Sequence, residues 1–96
     1  HANGSKRAAM PKVFIPPAMR SLTDNQSEVV VEGSTVGRAI DNLDARFPGI
    51  KSRLCQGDSL RPGLSISVDA SIATLGLYQP ALPESELHIL PAIGGG

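Results

Sequence analysis

The sequence predicts an α+β domain in which a mixed sheet of four to five strands packs on one main helix. Residues 35–47 have the apolar periodicity of a helix, and short β-branched or alternating runs lie on both sides of it. The 96 residues suffice for one domain with one small core. The apolar stripe of the helix would face water unless a sheet covered it, which favours this fold class.

Two strands that form a hairpin are predicted before the helix. Residues 12–15 are β-branched or aromatic, and prolines at 16–17 stop the strand because proline cannot continue a ladder. Residues 18–22 connect to turn-forming residues at 23–26. The second strand covers residues 28–32.

The main helix is predicted over residues 35–47. The Thr35 hydroxyl is suited to accept a hydrogen bond from an amide of the first turn, and Pro48 and Gly49 end the helix. Apolar residues recur at i, i+3, i+4, i+7 and i+11, which places them on one stripe. They are Val36, Ala39, Ile40, Leu43 and Phe47.

Strands also follow the helix. Residues 65–69 and 86–90 alternate with period two and are predicted strands, the last one ending before Pro91. Residues 71–73 are predicted to return as a short edge strand. Residues 50–63 are ambiguous, with a helical turn at 50–54 and a loop at 56–58, and residues 75–82 form a covering loop interrupted by proline.

Composition excludes several function classes. The formal net charge is zero and aromatic residues are 3% of the chain, so we expect no nucleic-acid partner. No apolar run is long enough for a membrane span. The lone Cys55 offers neither an intramolecular disulfide nor metal-site spacing, which suits a cytoplasmic protein; we interpret it as a structural or surface cysteine.

The two ends differ from the middle. Residues 1–9 are small, polar and basic, and we interpret them as a tag remnant or disordered arm, a native basic arm being the alternative. Residues 10–91 are the predicted domain, and residues 92–96 are the predicted flexible tail.

Self-sufficient catalysis is not expected. The sequence has no phosphate loop, no paired-histidine zinc motif and no hydrolase-type serine elbow. Asp41 and Asp44 share a helix face and are interpreted as a solvated surface. We therefore predict no metal site, no bound cofactor and no enzymatic activity of the chain itself.

The tail carries a different chemistry. Glycines Gly94, Gly95 and Gly96 have no side chain, so they can thread a slot that any Cβ would block, and the terminal carboxylate stays sterically open. A partner with ATP can convert that carboxylate to an adenylate, which a sulfur nucleophile then attacks. The expected product is a thiocarboxylate, a sulfur donor.

The chain resembles the ThiS/MoaD family of ubiquitin-like sulfur carrier proteins, which have the β-grasp fold. The resemblance covers residues 12–96 and is most specific at the end of the chain. Its matching segments are residues 13–16, 35–36, 43, 47–50, 66–69 and 87–96.

The resemblance implies that Gly96 carries the adenylate and then the thiocarboxylate, with Gly95 completing the diglycine. A ubiquitin-activating-type adenylyltransferase/sulfurtransferase is the implied partner, supplying ATP and sulfide or persulfide sulfur. Two features depart from the family: Gly94 stands where Ala is common, and Asp69 with Ala70 follows Val68 where many members have Val-Asn.

The final run is most similar to carriers that serve cysteine biosynthesis, where a pyridoxal-phosphate-dependent synthase accepts the sulfur. Molybdopterin or thiamine carriers are the other candidates. Two further functions stay open: a ubiquitin-like modifier conjugated to lysines through Gly96, and an interaction domain whose glycines are incidental.

The last strand is the predicted partner surface. Leu87 and Ile89 should be core, while His88 and Leu90 face outward beside the tail and, with Ile93, contact the partner. We also propose a partner contact for the two basic residues Arg53 and Arg61.

Overall fold

A five-stranded mixed sheet covers one main helix, as the sequence predicts. The computed structural model describes residues 9–91. The expected tail, and all of the N-terminal arm but Ala9, lie outside them. Two 3-10 helices cover Pro17–Leu22 and Gly76–Tyr78. The other elements are β1 (Lys12–Phe14), β2 (Glu28–Val30), α1 (Val36–Arg46), α2 (Ile50–Leu54), β3 (Cys55–Gln56), β4 (Ser59–Leu60), β5 (Leu64–Val68), β6 (Ser71–Ile72) and β7 (Glu86–Pro91).

The strands of the main sheet lie in the order β2-β1-β7-β5-β6. The predicted first hairpin is confirmed, with Val13 opposite Val29. Strands β1 and β7 pair in parallel, whereas the remaining neighbours are antiparallel. The first and last strands therefore lie side by side within the sheet, and both point toward the same end of it.

Helix α1 has the boundaries that its capping residues dictate. The Thr35 hydroxyl accepts a hydrogen bond from the Arg38 amide at 3.1 Å, and Phe47 is the C-terminal cap. The stripe packs against the inner face of the sheet, where Val13, Leu87 and Ile89 are buried. The four stripe residues within α1 are fully buried: Val36, Ala39, Ile40 and Leu43.

Two polar side chains of α1 reach the open edge of the sheet. Asn42 Nδ2 donates to the Glu32 carbonyl at 2.6 Å, and Arg46 Nη1 donates to the Val30 carbonyl at 3.0 Å. These bonds satisfy carbonyl groups at and just beyond β2, an edge strand that has no further neighbour in the sheet. They also tie the helix to the sheet at the helix's C-terminal half.

The segment after α1 contains one element that the sequence did not predict. The helical turn at residues 50–54 is confirmed as α2. Residues 56–58, predicted as a loop, instead belong to a small hairpin of β3 and β4, with Gly57 at φ +65° in its turn. Strands of two residues are too short to show an alternating pattern, so no local pattern predicts them.

The later strands match the prediction to within one residue at each end. The edge strand predicted at residues 71–73 is β6, which pairs with β5. The prediction that Pro91 ends the last strand is wrong by one residue, because β7 includes Pro91, opposite Leu64. The last position of a strand tolerates proline, since at most one ladder hydrogen bond is lost there.

A polar network fixes the start of β7. Asp69 and Ala70, both in the left-handed region with φ values of 52° and 75°, turn the chain from β5 into β6. The Asp69 carboxylate accepts hydrogen bonds from the Glu86 amide at 2.9 Å and from the Ser85 hydroxyl at 2.7 Å. Ser85 is buried, and its hydroxyl also accepts from the Leu82 amide at 2.9 Å. This network sets where β7 begins.

The Asp69 network makes stability depend on pH. The hydrogen bond from the Glu86 amide, and then that from Ser85, lower the pKa of the Asp69 carboxyl. Its stabilising contribution is therefore complete above the unfolded-state pKa of about 3.9 and is lost as pH falls through the lower folded value. We expect Asp69→Asn to reduce the free energy of unfolding at neutral pH by about 1 kcal/mol, a figure discounted for solvent exposure.

Urea unfolding at a series of pH values between about 6 and 2 checks this expectation. The variant should lose less stability than the wild type as the solution is acidified. Asp58→Asn, which changes an exposed carboxylate in the β3–β4 turn, serves as the control. Parallel pH profiles for wild type and Asp69→Asn would contradict the assignment.

Gly33 allows the chain to pass close to the first turn of α1. A Cβ at this position would lie 2.5 Å from the Ala39 nitrogen and 2.7 Å from the Ala39 Cα, both backbone atoms. We expect Gly33→Ala to lower the free energy of unfolding by about 1–3 kcal/mol through overpacking. Chemical denaturation measures it, with the exposed Ser34→Ala as a control expected to stay within about 0.5 kcal/mol of wild type.

Candidate functional site

The end of β7 is the candidate functional site, because the glycine tail follows it directly. The predicted alternation is confirmed: Leu87 and Ile89 are 1% and 4% exposed beneath α1. His88 is half-buried and Leu90 is 37% exposed on the opposite face. Pro91 is the last residue described. Five further residues, 92–96, reach at most about 18 Å when fully extended.

The His88 side chain, on the outer face of the sheet, is positioned by Phe14, its neighbour in β1. The imidazole stacks on the Phe14 ring, with centroids 4.3 Å apart and an interplanar angle of 3°. His88 Nε2 lies 3.6 Å from Glu86 Oε1, an ion pair when the imidazole is protonated. The stack follows from the parallel register, which places Phe14 beside His88. The ring of His88 is therefore held parallel to the ring of Phe14.

The outer face of the sheet mixes apolar side chains with ion pairs. Val30 and Ile72 are exposed on this face, together with Leu90. Lys12 Nζ is 3.1 Å from Glu28 Oε1 on the same face. An apolar surface interrupted by polar groups is typical of protein association sites.

The predicted tail residues lie outside the described residues. These are Ile93, Gly94, Gly95 and Gly96, whose roles stay predictions. The other proposed contacts, Arg53 and Arg61, lie with α2 in the helical layer, since Arg53 is exposed on α2 and Arg61 Nε donates to the Ser52 carbonyl at 2.8 Å. They are not among the outward side chains of β7.

The thiol of Cys55 is not a reactive nucleophile. This residue packs in the hydrophobic core, and burial raises the pKa of its thiol, although Lys51 opposes the shift. Cys55 is thus structural. Asp41 pairs with Lys51 at 2.6 Å, and Asp44 accepts from the Gly49 and Lys51 amides at 3.0 Å, so these carboxylates hold α1 and α2 together.

Residues 9–91 contain neither a candidate metal cluster nor a helix that could span a membrane. No cluster of three or more His, Cys, Asp or Glu residues there is arranged to hold a metal ion. No helix in that part of the chain has the length and hydrophobicity needed to cross a membrane.

Sequence reasoning missed two residues at this end of the sheet. The sequence predicts only a strand at Phe14 and a connector at Arg20, yet both residues line one surface depression together with His88. No local pattern could have revealed this, because 74 and 68 positions separate them from His88 along the chain.

Known proteins with similar sequences and structures agree on one family. The model of the ThiS family matches residues 13–96. The sulfur carrier protein CysO of Mycobacterium tuberculosis is 34% identical over 89 residues, which cover 88% of this chain and 96% of that protein. A chain in the crystal structure of the Amycolatopsis orientalis BexX/CysO complex has 32% identity and a TM-score of 0.84, covering 90% of this chain and 99% of its own.

A more distant structure confirms the fold alone. The small archaeal modifier protein SAMP1 of Methanosarcina acetivorans has a TM-score of 0.78 at 22% identity, over 94% of this chain and 99% of its own. The β-grasp fold and the family resemblance expected from the sequence are both confirmed. The chain belongs to the ThiS family and is a homologue of CysO sulfur carrier proteins.

Proposed function

We propose that this chain is a sulfur carrier whose Gly96 carboxylate is adenylated by a ubiquitin-activating-type enzyme and converted to a thiocarboxylate. The observation that carries the proposal is the family match, which runs through the glycines to residue 96. The geometry supports it, because β7 ends at Pro91, with only two residues between it and the first of these glycines.

The proposed reaction needs no side chain of the carrier. A carboxylate oxygen of Gly96 attacks the α-phosphorus of ATP, and pyrophosphate leaves. Sulfide then attacks the carbonyl carbon of the acyl adenylate, and AMP leaves with the bonding electrons. If a persulfide is the attacking group, the acyl disulfide that forms is cleaved by a second thiol, which acts as the reductant. ATP and sulfur belong to the partner enzyme.

Cysteine biosynthesis is the proposed destination of the sulfur. The similarity to CysO proteins supports it. The thiocarboxylate sulfur would attack an activated serine derivative held by a pyridoxal-phosphate-dependent synthase. Because the loading step consumes ATP, we place it in the cytoplasm. A solved complex contains CysO together with BexX, which supports a partner protein for this chain as well.

Intact-mass measurement tests the loading step. We expect the chain, incubated with ATP, a sulfide source and the adenylating enzyme of its own organism, to become about 16 Da heavier as sulfur replaces one carboxylate oxygen. A variant lacking Gly95 and Gly96 should not change in mass. Isopeptide remnants on lysines of other proteins, with no thiocarboxylate, would instead indicate a ubiquitin-like modifier. A truncated chain that still supports its pathway would show that the glycines are incidental.

Gly94 and Gly95, the two glycines before Gly96, should differ in how well they tolerate a side chain. We expect Gly95→Ala to slow loading at least about tenfold, because its Cβ would displace the reacting carboxylate from a narrow channel. Gly94→Ala should load at nearly the wild-type rate, since Gly94 acts as a spacer. Initial rates of pyrophosphate release with each variant measure the difference. Equal rates for both variants would contradict threading through a narrow slot.

A further inference from the structure

A depression of about 470 Å³ opens at the end of β1, beside His88 and Ile89 of β7. Its lining includes the stacked rings of Phe14 and His88 and the guanidinium-bearing residue Arg20. Pro16 and Ser27 complete two of its sides. Because β1 and β7 are parallel, this depression lies toward the same end of the sheet as the last residue of β7, which the tail follows.

Arg20 is held in place by its own backbone and by its Nε. Its carbonyl accepts hydrogen bonds from the Asn25 amide at 2.7 Å and the Thr23 amide at 3.1 Å. The Nε donates to the Ile15 carbonyl at 2.9 Å. Since Nε is committed to the protein, the two Nη groups remain to contact a ligand, and the half-buried side chain has already lost much of its rotamer freedom.

The guanidinium of Arg20 has no carboxylate within 4.0 Å among residues 9–91. The other basic groups on this side of the sheet have acidic neighbours: Lys12 pairs with Glu28, and His88 lies next to Glu86. Arg20 is therefore a fixed positive charge whose neutralising partner is not found in the described part of the chain.

The tail itself carries no ionisable side chain, because residues 92–96 are Ala, Ile and three glycines. Its one charge is the Gly96 carboxylate, which is the reacting group itself, so any further electrostatic guidance must come from the folded domain. A positive group beside β7, the strand that leads into the tail, is well placed for this purpose, since charge pairs set the orientation of docking and its rate.

We propose that Arg20 recognises a carboxylate side chain of the adenylating enzyme and thereby aligns the tail for entry into that enzyme. The inference rests on the function proposed above. Arg20 acts as a docking residue and takes no part in the acyl chemistry. The paired Nη donors suit a carboxylate, which accepts two parallel hydrogen bonds from guanidinium.

Steady-state kinetics of adenylate formation, followed by pyrophosphate release, test the proposal. We expect Arg20→Ala to raise KM for the carrier about tenfold with kcat nearly unchanged, and Arg20→Glu to raise it further. Arg20→Lys should recover part of the loss, because it restores the charge without the planar donor pair. The wild-type KM should rise with added salt more steeply than that of Arg20→Ala.

Arg38→Ala is the matched control, since Arg38 is an exposed arginine of α1 to which no partner contact is assigned. Its KM should equal that of wild type. Thermal unfolding of each variant identifies any loss due to the Nε hydrogen bond, and the salt dependence is independent of that loss. If wild type is adenylated and the Arg20 variants keep the wild-type KM and salt dependence, only the role of Arg20 is overturned. If wild type itself forms no adenylate, the proposed function fails together with it.

Discussion

Parallel pairing of β1 with β7 is the interaction on which the arrangement of this domain depends. It joins Val13 to Leu87 on the inner face and Phe14 to His88 on the outer face. The inner pair contributes to the core under α1, and the outer pair forms the aromatic stack. Parallel strands require a long connection between them, and here the helical layer and the second half of the sheet supply it.

Two close contacts keep that connection in register. Gly33 lets the chain enter α1 at a distance that no larger residue permits, so the stripe of α1 reaches the sheet. At the other end, Asp69 and Ser85 hold the first residue of β7. A shift of β7 by one residue would place His88 and Leu90 in the core instead of Leu87 and Ile89. The hydrogen bonds of Asp69 therefore decide which side chains of β7 face outward.

The described residues form a rigid support, and the proposed reaction occurs beyond them. Cys55 is buried among apolar side chains, and the carboxylates Asp41 and Asp44 hold α1 against α2. Such a division suits a protein that is a substrate of other enzymes, because the same domain can then present its last residue to an activating enzyme and to a sulfur acceptor in turn. In the proposed docking, the domain's own contribution is to orient the tail, through the stacked ring of His88 and the fixed guanidinium of Arg20.

The sequence by itself determined the helix and the main strands, and the proposed chemistry of the terminal glycines is also inferred from it. Thr35, the apolar stripe ending at Phe47 and the alternation around Leu87 are local signals, since each depends on residues a few positions apart. Only the tertiary structure decided that Phe14 meets His88 and that Arg20 lines a depression with His88 and Ile89. Contacts between residues 14–20 and 88 depend on the pairing of distant strands, and no local pattern encodes which strands become neighbours.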